Sequence, residues 1–366
     1  VNPPSGQDGG VGTFPATRVA GPRPAGPDAQ HAVRPVTRFE KTLGVALSAL
    51  SGAAFAVQSR INGELGVRLG DGVLAALLSF GIGLVLLVVL VPLMPAARRG
   101  VAMVGAALRG GSLRFWQCLG GLSGAFLVAT QSLTVGVIGV AIFSVGLVAG
   151  QTGSSLLVDR AGLGPAGHQP LTWPRIVGAG LALSAVAGAM SDRIQGGIAL
   201  WLVVLPLIAG AGIAVQQAVN GQIRAVAGSA LTAALVNFAA GTALLTVAWL
   251  AVRVIQGAPP ALPTEPWLYL GGPLGVVFIW VAAVVVRWTG VLLLGLSTIA
   301  GQLVGAVALD LVAPAAQVRL HAATVAGATL TLLAVGIAAL PGRQPPRPTR
   351  PATVGSAGRS AGRGGR

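Results

Sequence analysis

Ten apolar runs, each close to twenty residues long, follow one another between residues 42 and 340. They fall at about 42–59, 73–93, 115–134, 137–158, 174–191, 198–218, 230–252, 267–286, 290–310 and 322–340. A helix of about 20 residues crosses a hydrocarbon core of about 30 Å. Lipid offers no partner for a free backbone N–H or C=O, so runs of this length predict spanning helices. Two neighbouring pairs are separated only at Val135–Gly136 and at Arg287–Gly290. Each pair is too long for one span, so both are split. Charged residues make up 9% of the chain, against about 25% in a soluble domain. The expected fold class is therefore an all-α integral membrane protein of about ten transmembrane helices.

The charge distribution supports this reading. A formal net charge of +15 would suit a nucleic-acid binder if it formed one patch. Here Lys and Arg sit in the tails and short loops, so no nucleic-acid partner is expected. Ten spans place both termini on one side. Nineteen of the 24 Lys and Arg residues then fall on that side and five on the other. The positive-inside rule assigns the richer side to the cytoplasm. Segments 1–41 and 341–366 are rich in Pro, Gly and Arg and carry no apolar run, so both are expected to be disordered.

The chain also repeats itself. Residues 56–84 align without gaps on 214–242, with 11 of 29 positions identical; composition alone would give roughly three. Polar positions are among the matches: Gln58 with Gln216, Asn62 with Asn220. At a spacing of 151, Trp116, Leu119, Gly120, Gly121 and Gly124 match Trp267, Leu270, Gly271, Gly272 and Gly275. Ala149-Gly150-Gln151 matches Ala300-Gly301-Gln302, and Asp159 matches Asp310. Two units follow, 42–192 and 198–340, with five spans each. Five is odd, so the second unit must enter the membrane from the opposite face. Inverted repeats of this kind recur in transporters.

These blocks resemble the YdcZ family of the drug/metabolite transporter superfamily. The resemblance rests on A-V-Q-x-x-x-N-G with the following A-A-L-x-x-F-x-x-G, on W-x-x-L-G-G-x-x-G, and on A-G-Q-x₇-D, all present in both halves. It covers about residues 42–340 and implies a fused pair of five-helix units that moves a small molecule, without implying which one. The second copy departs where Glu64 becomes Gln222 and Gly66 becomes Arg224.

Polar side chains in a bilayer are costly and face the bundle interior. Gln58 and Asn62 lie four residues apart on one helix face, and Gln216 and Asn220 reproduce them. Together with Gln151 and Gln302 they are candidates to line a substrate cavity. Asn62-Gly63 and Asn220-Gly221 equally read as helix C-caps. Asp159 and Asp310 lie about two turns beyond Gln151 and Gln302, on the same face. They read either as anchors near helix ends or, with Glu64, as weak candidates for coupling to protons or a cation. Ser79, Asn237, Thr130, Gln131 and Gln217 also suit an interior face. Gly120-x₃-Gly124, Gly146-x₃-Gly150 and their mates predict close helix contacts. Trp116, Trp173, Trp201 and Trp267 suit interfacial anchors.

One cysteine, three histidines outside the apolar runs, and no phosphate-binding loop or nucleophile motif give no expectation of a metal, a cofactor or an enzyme. The expected partners are the bilayer and a small solute, with a homodimer left open. The expected function is secondary transport of a small organic solute across the cytoplasmic membrane by alternating access. A non-transporting scaffold and a flippase of a lipid-linked intermediate are the alternatives.

Overall fold

The computed structural model describes residues 37–164, 167–168, 170–195, 200–313 and 321–340. The tails expected to be disordered lie outside the described residues, except that the first helix already begins at Arg38. The helices in chain order are α1 (Arg38–Leu69), α2 (Gly72–Leu93), α3 (Pro95–Arg109), α4 (Gly121–Ile138), α5 (Val140–Arg160), α6 (Trp173–Gln195), α7 (Trp201–Ala227), α8 (Ala230–Gln256), α9 (Gly271–Val312) and α10 (Ala322–Ala338). Short 3-10 turns at Phe115–Gly120 and Pro266–Tyr269 lead into α4 and α9. Among the described residues there is no strand. Among the described residues, seven helical segments are long and apolar enough to cross a membrane, and three shorter apolar ones accompany them. Their outer faces carry exposed Val85, Val88 and Leu93 on α2 and Val247, Leu250 and Val254 on α8, as a lipid-facing surface requires.

Several expected boundaries move. The break expected at Val135–Gly136 lies at Gly139, whose φ of 84° only glycine adopts readily. Asn62-Gly63 does not end α1. The helix continues to Leu69 and closes at Gly70, with φ 60°. The mate is the same: α7 passes Asn220-Gly221 and ends at Gly228, with φ 62°. Buried packing against α4 keeps Asn62 and Gly63 helical where their local preference is for a cap. After each left-handed glycine a polar side chain opens the next helix. Asp71 accepts from Leu74 N–H at 2.9 Å, and its mate Ser229 accepts from Thr232 N–H at 3.4 Å. The segment between the second and third spans, expected as a loop, forms α3. Its buried face is Ala97, Gly100 and Val104, and its Arg98, Arg99 and Arg109 are exposed.

No break separates residues 267–286 from 290–310: α9 is helical throughout its 42 residues. It is nevertheless not straight. A Cβ on Gly271 would lie 2.2 Å from Asn62 Oδ1, and one on Gly305 would lie 2.9 Å from Ala53 Cα. Asn62 and Ala53 are only about 14 Å apart along α1, whereas a straight helix would put Gly271 and Gly305 about 50 Å apart. The first part of α9 runs opposite to α1, through Asn62 with Gly271, Gln58 with Gly275 and Phe55 with Phe278. The second part runs with it, through Ala49 with Gly301 and Ala53 with Gly305. The chain therefore reverses within α9.

The same contacts occur twice. Gly120 sits against Asn220 and Asn237, and its mate Gly271 sits against Asn62 and Ser79, the mates of those residues. Gly150 meets Leu207 O where Gly301 meets Ala49 O; Gly210 meets Leu147 O where Gly52 meets Thr298 O. In each of these four, an added Cβ would fall within 2.1 Å of a backbone oxygen, so glycine there is what lets the helix backbones touch. The early helices of each copy thus pack on the later helices of the other. The mates α2 and α8 lie against one another antiparallel, with Asp71 on Arg253, Phe80 beside Gly241, and Gly83 beside Phe238.

Candidate functional site

A cavity of about 340 Å³ lies where the two copies meet. It is built mostly from mates. Gln58 of α1 and Gln216 of α7 both line it, and so do Gln151 of α5 and Gln302 of α9. Gly124 and Gly275 give the first pair room: a Cβ at either would lie 3.1 Å from the facing glutamine amide. Phe80 and Phe238, also mates, present rings 4.9 Å apart and tilted by 31°. Phe55 and Phe278 form a second ring contact at 5.9 Å. Gln217, Asn237 and Thr298 complete the polar lining. Among the described lining residues none is charged.

The amides are unevenly satisfied. Gln151 Nε2 donates to Gln217 Oε1 at 3.1 Å. Gln216 Oε1 and Gln302 Nε2 are buried and have no hydrogen-bond partner. A polar atom left this way is costly, and either one can meet a bound molecule only after its amide turns toward the cavity.

The other candidates stand elsewhere. Asn62 donates to Gln131 Oε1 at 2.8 Å, and Gln131 donates on to Ser59 Oγ at 2.9 Å. This buried network ties α1 to α4. Asn220 Nδ2 lies 3.4 Å from Asn237 Oδ1. Neither Asn62 nor Asn220 is among the cavity-lining residues. The carboxylates are engaged as well. Asp310, 3% exposed, accepts from Val140 N–H at 3.2 Å and Ala141 N–H at 2.8 Å. It thereby caps the first turn of α5, beside the break at Gly139. Asp159 pairs with Arg175, and Glu64 pairs with Arg68 at 2.9 Å. No group of three or more potential metal ligands occurs among the described residues.

The phenylalanines and Asp71 were missed by sequence reasoning. For Phe80 and Phe238 the signal existed, since they are an identical pair in the repeat alignment. For Asp71 the signal was local: an acid just after Gly70 and just before an apolar run.

The two ends of the cavity differ. Ala282, Leu294 and Gly295 of α9 line it. Their mates Gln131, Phe143 and Ser144 are 0% exposed and lie outside it. The cavity therefore reaches toward the reversal in α9 and is closed toward the break at Gly139. That closed end also carries the ion pairs joining the copies: Asp71 with Arg253 at 2.9 Å, and Arg68 with Glu265.

Fold and cavity together define a multi-pass helical membrane protein with a cavity between two related copies. The chain belongs to the YdcZ family, described as "Putative inner membrane exporter, YdcZ", whose model matches residues 43–188 and again 201–337. The double match coincides with the two copies. A solved structure described as "Crystal structure of protein" is similar at 21% identity and a TM-score of 0.45, covering 82% of this chain and 97% of its own. No curated protein matches the chain.

Proposed function

We propose that this protein is a secondary transporter of a small organic solute, built as ten spans in two inverted five-helix units, residues 42–192 and 198–340, and working by alternating access. The observation that carries the reading is the inequality of mates around the cavity. Two copies related by inversion have two equivalent ways to pack. In one, the tip between the third and fourth spans is closed and the corresponding tip of the second copy is open. Exchanging the roles gives the opposite state from the same contacts. Gln131, Phe143 and Ser144 buried, with Ala282, Leu294 and Gly295 open, is one member of that pair. The antiparallel meeting of α2 with α8 and the reversal within α9 support the inverted ten-span arrangement. With both termini cytoplasmic, as the Lys and Arg distribution favours, the open tip faces the cytoplasm and the ion-paired end faces outward.

Gln58, Gln216, Gln151 and Gln302 are the residues we assign to solute binding. Asn62 and Asn220 support the helices around them. Asp159, Asp310 and Glu64 hold ion pairs or a helix start, and coupling through any of them is not part of the proposal.

The test uses single cysteines at mated positions. In a Cys118→Ser background reconstituted in liposomes, Gly295→Cys is expected to react with a membrane-impermeant maleimide from the cytoplasmic side. Ser144→Cys is expected to be protected until the protein is driven to the opposite state, and then to react only from outside. Reaction of both from the same side would sink the inverted arrangement. A Ser144→Cys that stays protected under every solute gradient would sink alternating access.

A further inference from the structure

We propose that the cavity selects uncharged, planar solutes carrying an amide-like edge, an N–H donor beside a C=O or ring-nitrogen acceptor. This rests on the transport reading of the cavity and names the chemical class it takes. Three independent observations converge on it.

The first is the kind of polar group present. The lining offers amides from Gln58, Gln151, Gln216, Gln302 and Asn237, with no charged side chain among the described lining residues. A charged solute would enter a low-dielectric space with no counter-charge on these walls, and ions left uncompensated there are strongly disfavoured. Asp310 and Asp159 are engaged elsewhere, Asp310 by two backbone N–H groups and Asp159 by Arg175.

The second is which amide atoms lack partners. Gln216 Oε1 is an acceptor without a donor, and Gln302 Nε2 is a donor without an acceptor. The solute that satisfies both must itself bring a donor and an acceptor, which a carboxamide or lactam does. A hydrocarbon satisfies neither, and an ammonium or carboxylate satisfies one. Exchanging the O and N of both glutamines together reverses the order of the pair and keeps this requirement. The terminal torsion of glutamine is soft, so each amide can swing to meet an incoming edge.

The third is shape. The mated rings of Phe80 and Phe238 line the same space as the contacting, unmated rings of Phe55 and Phe278. Aromatic walls favour flat partners by offset stacking. The volume of about 340 Å³ lies near the lower end of small-ligand pockets, which suits one- or two-ring molecules.

The experiment is equilibrium binding to the full chain in nanodiscs. The neutral probes are nicotinamide, uracil and hypoxanthine. Nicotinate and 1-methylnicotinamide are the anionic and cationic counterparts of the first. At least one neutral probe is expected to bind ten times or more tighter than both charged ones. Gln216→Ala and Gln302→Ala are expected to weaken it five- to tenfold, while Glu64→Gln, which lies outside the cavity, leaves it unchanged. Because an alanine variant can lose its fold, Gln302→Glu is the second arm. It keeps the side-chain size and should reverse the preference, so that 1-methylnicotinamide binds better than nicotinamide. Charged probes binding as tightly as neutral ones, no binding of any neutral probe, or no reversal in a folded Gln302→Glu would each overturn the proposal. Flux assays in liposomes separate it from the transport reading. Binding of neutral probes without flux keeps the solute class and removes transport. Flux of a charged probe keeps transport and overturns the class.

Discussion

Arg253 and Asp71 are separated by 182 residues, yet they meet at the closed end of the cavity, Nη2 to Oδ2, at 2.9 Å. Their side chains are 13% and 6% exposed. At that distance, with an effective dielectric constant of about 20, unit charges attract by roughly 6 kcal/mol. Desolvation cancels much of this, so the net value of the pair is small, but removing one partner strands the other. Breaking a buried pair in this way costs about 3–5 kcal/mol. Arg253 has a fallback in Ala258 O, 2.9 Å away, and lies 6.0 Å from the Trp249 ring, which places the expected loss near the low end, about 3 kcal/mol. Asp71 also caps α2. Asp71→Asn keeps an oxygen for Leu74 N–H and removes only the negative charge facing Arg253, whereas Asp71→Ala adds about 1 kcal/mol for the lost cap. Asp71→Asn and Arg253→Gln should each cost about 3 kcal/mol, and the double variant, in which neither charge remains, should cost less than either single variant and far less than their sum. The assay is reversible unfolding in mixed micelles, titrated with sodium dodecyl sulfate and followed by tryptophan fluorescence. A coupling within about 0.5 kcal/mol of zero would refute the reasoning and leave the pair a bystander.

Three further outcomes follow from the same geometry. Asp310→Ala should destabilise by about 1–3 kcal/mol, because Val140 and Ala141 lose their buried acceptor. The mate Asp159→Ala should cost about 0–1 kcal/mol, its pair with Arg175 being about a third exposed; the same unfolding titration distinguishes them. Gly121→Ala and Gly272→Ala would bring a Cβ within 1.9 Å of Asn237 O and 2.2 Å of Ser79 O. Both are expected to lower stability by about 1–3 kcal/mol, read as equal losses of melting temperature by size-exclusion chromatography after heating. Glu265 is held below the usual carboxylate range by its own backbone N–H and by the Arg68 guanidinium. A depressed folded-state pKa means that its contribution is complete above about pH 4.5 and is lost as pH falls below that. Arg68 lies 5.6 Å from the Trp267 ring, so acidification should change the emission assigned to Trp267 by difference from Trp267→Phe, and Glu265→Gln should abolish that change.

Much of the architecture was legible in the residues because its causes are local or periodic. Run length follows from bilayer thickness, and the duplication is visible as identical polar positions at spacings of 158 and 151. Gln58, Gln216, Gln151 and Gln302 could be named because an amide repeated within an apolar run has few reasons to be there except an interior face. Helix ends were less legible. Asn62-Gly63 has the composition of a C-cap, but packing against Gln131, Val135 and Gly136 holds it inside a longer helix.

The sequence by itself determined that this chain is a helical membrane protein made of two related units, because hydrophobic length and repetition need no knowledge of neighbours. Tertiary structure decided the rest. It turned α9 back on itself, sent Asn62 to Gln131 and not to the cavity, joined Asp71 to Arg253, and buried Phe143 and Ser144 while leaving Leu294 and Gly295 open. Each of these depends on which backbone approaches which across the two copies. The shared pattern of two related segments does not set that difference, since the asymmetry lies in the contacts they exchange.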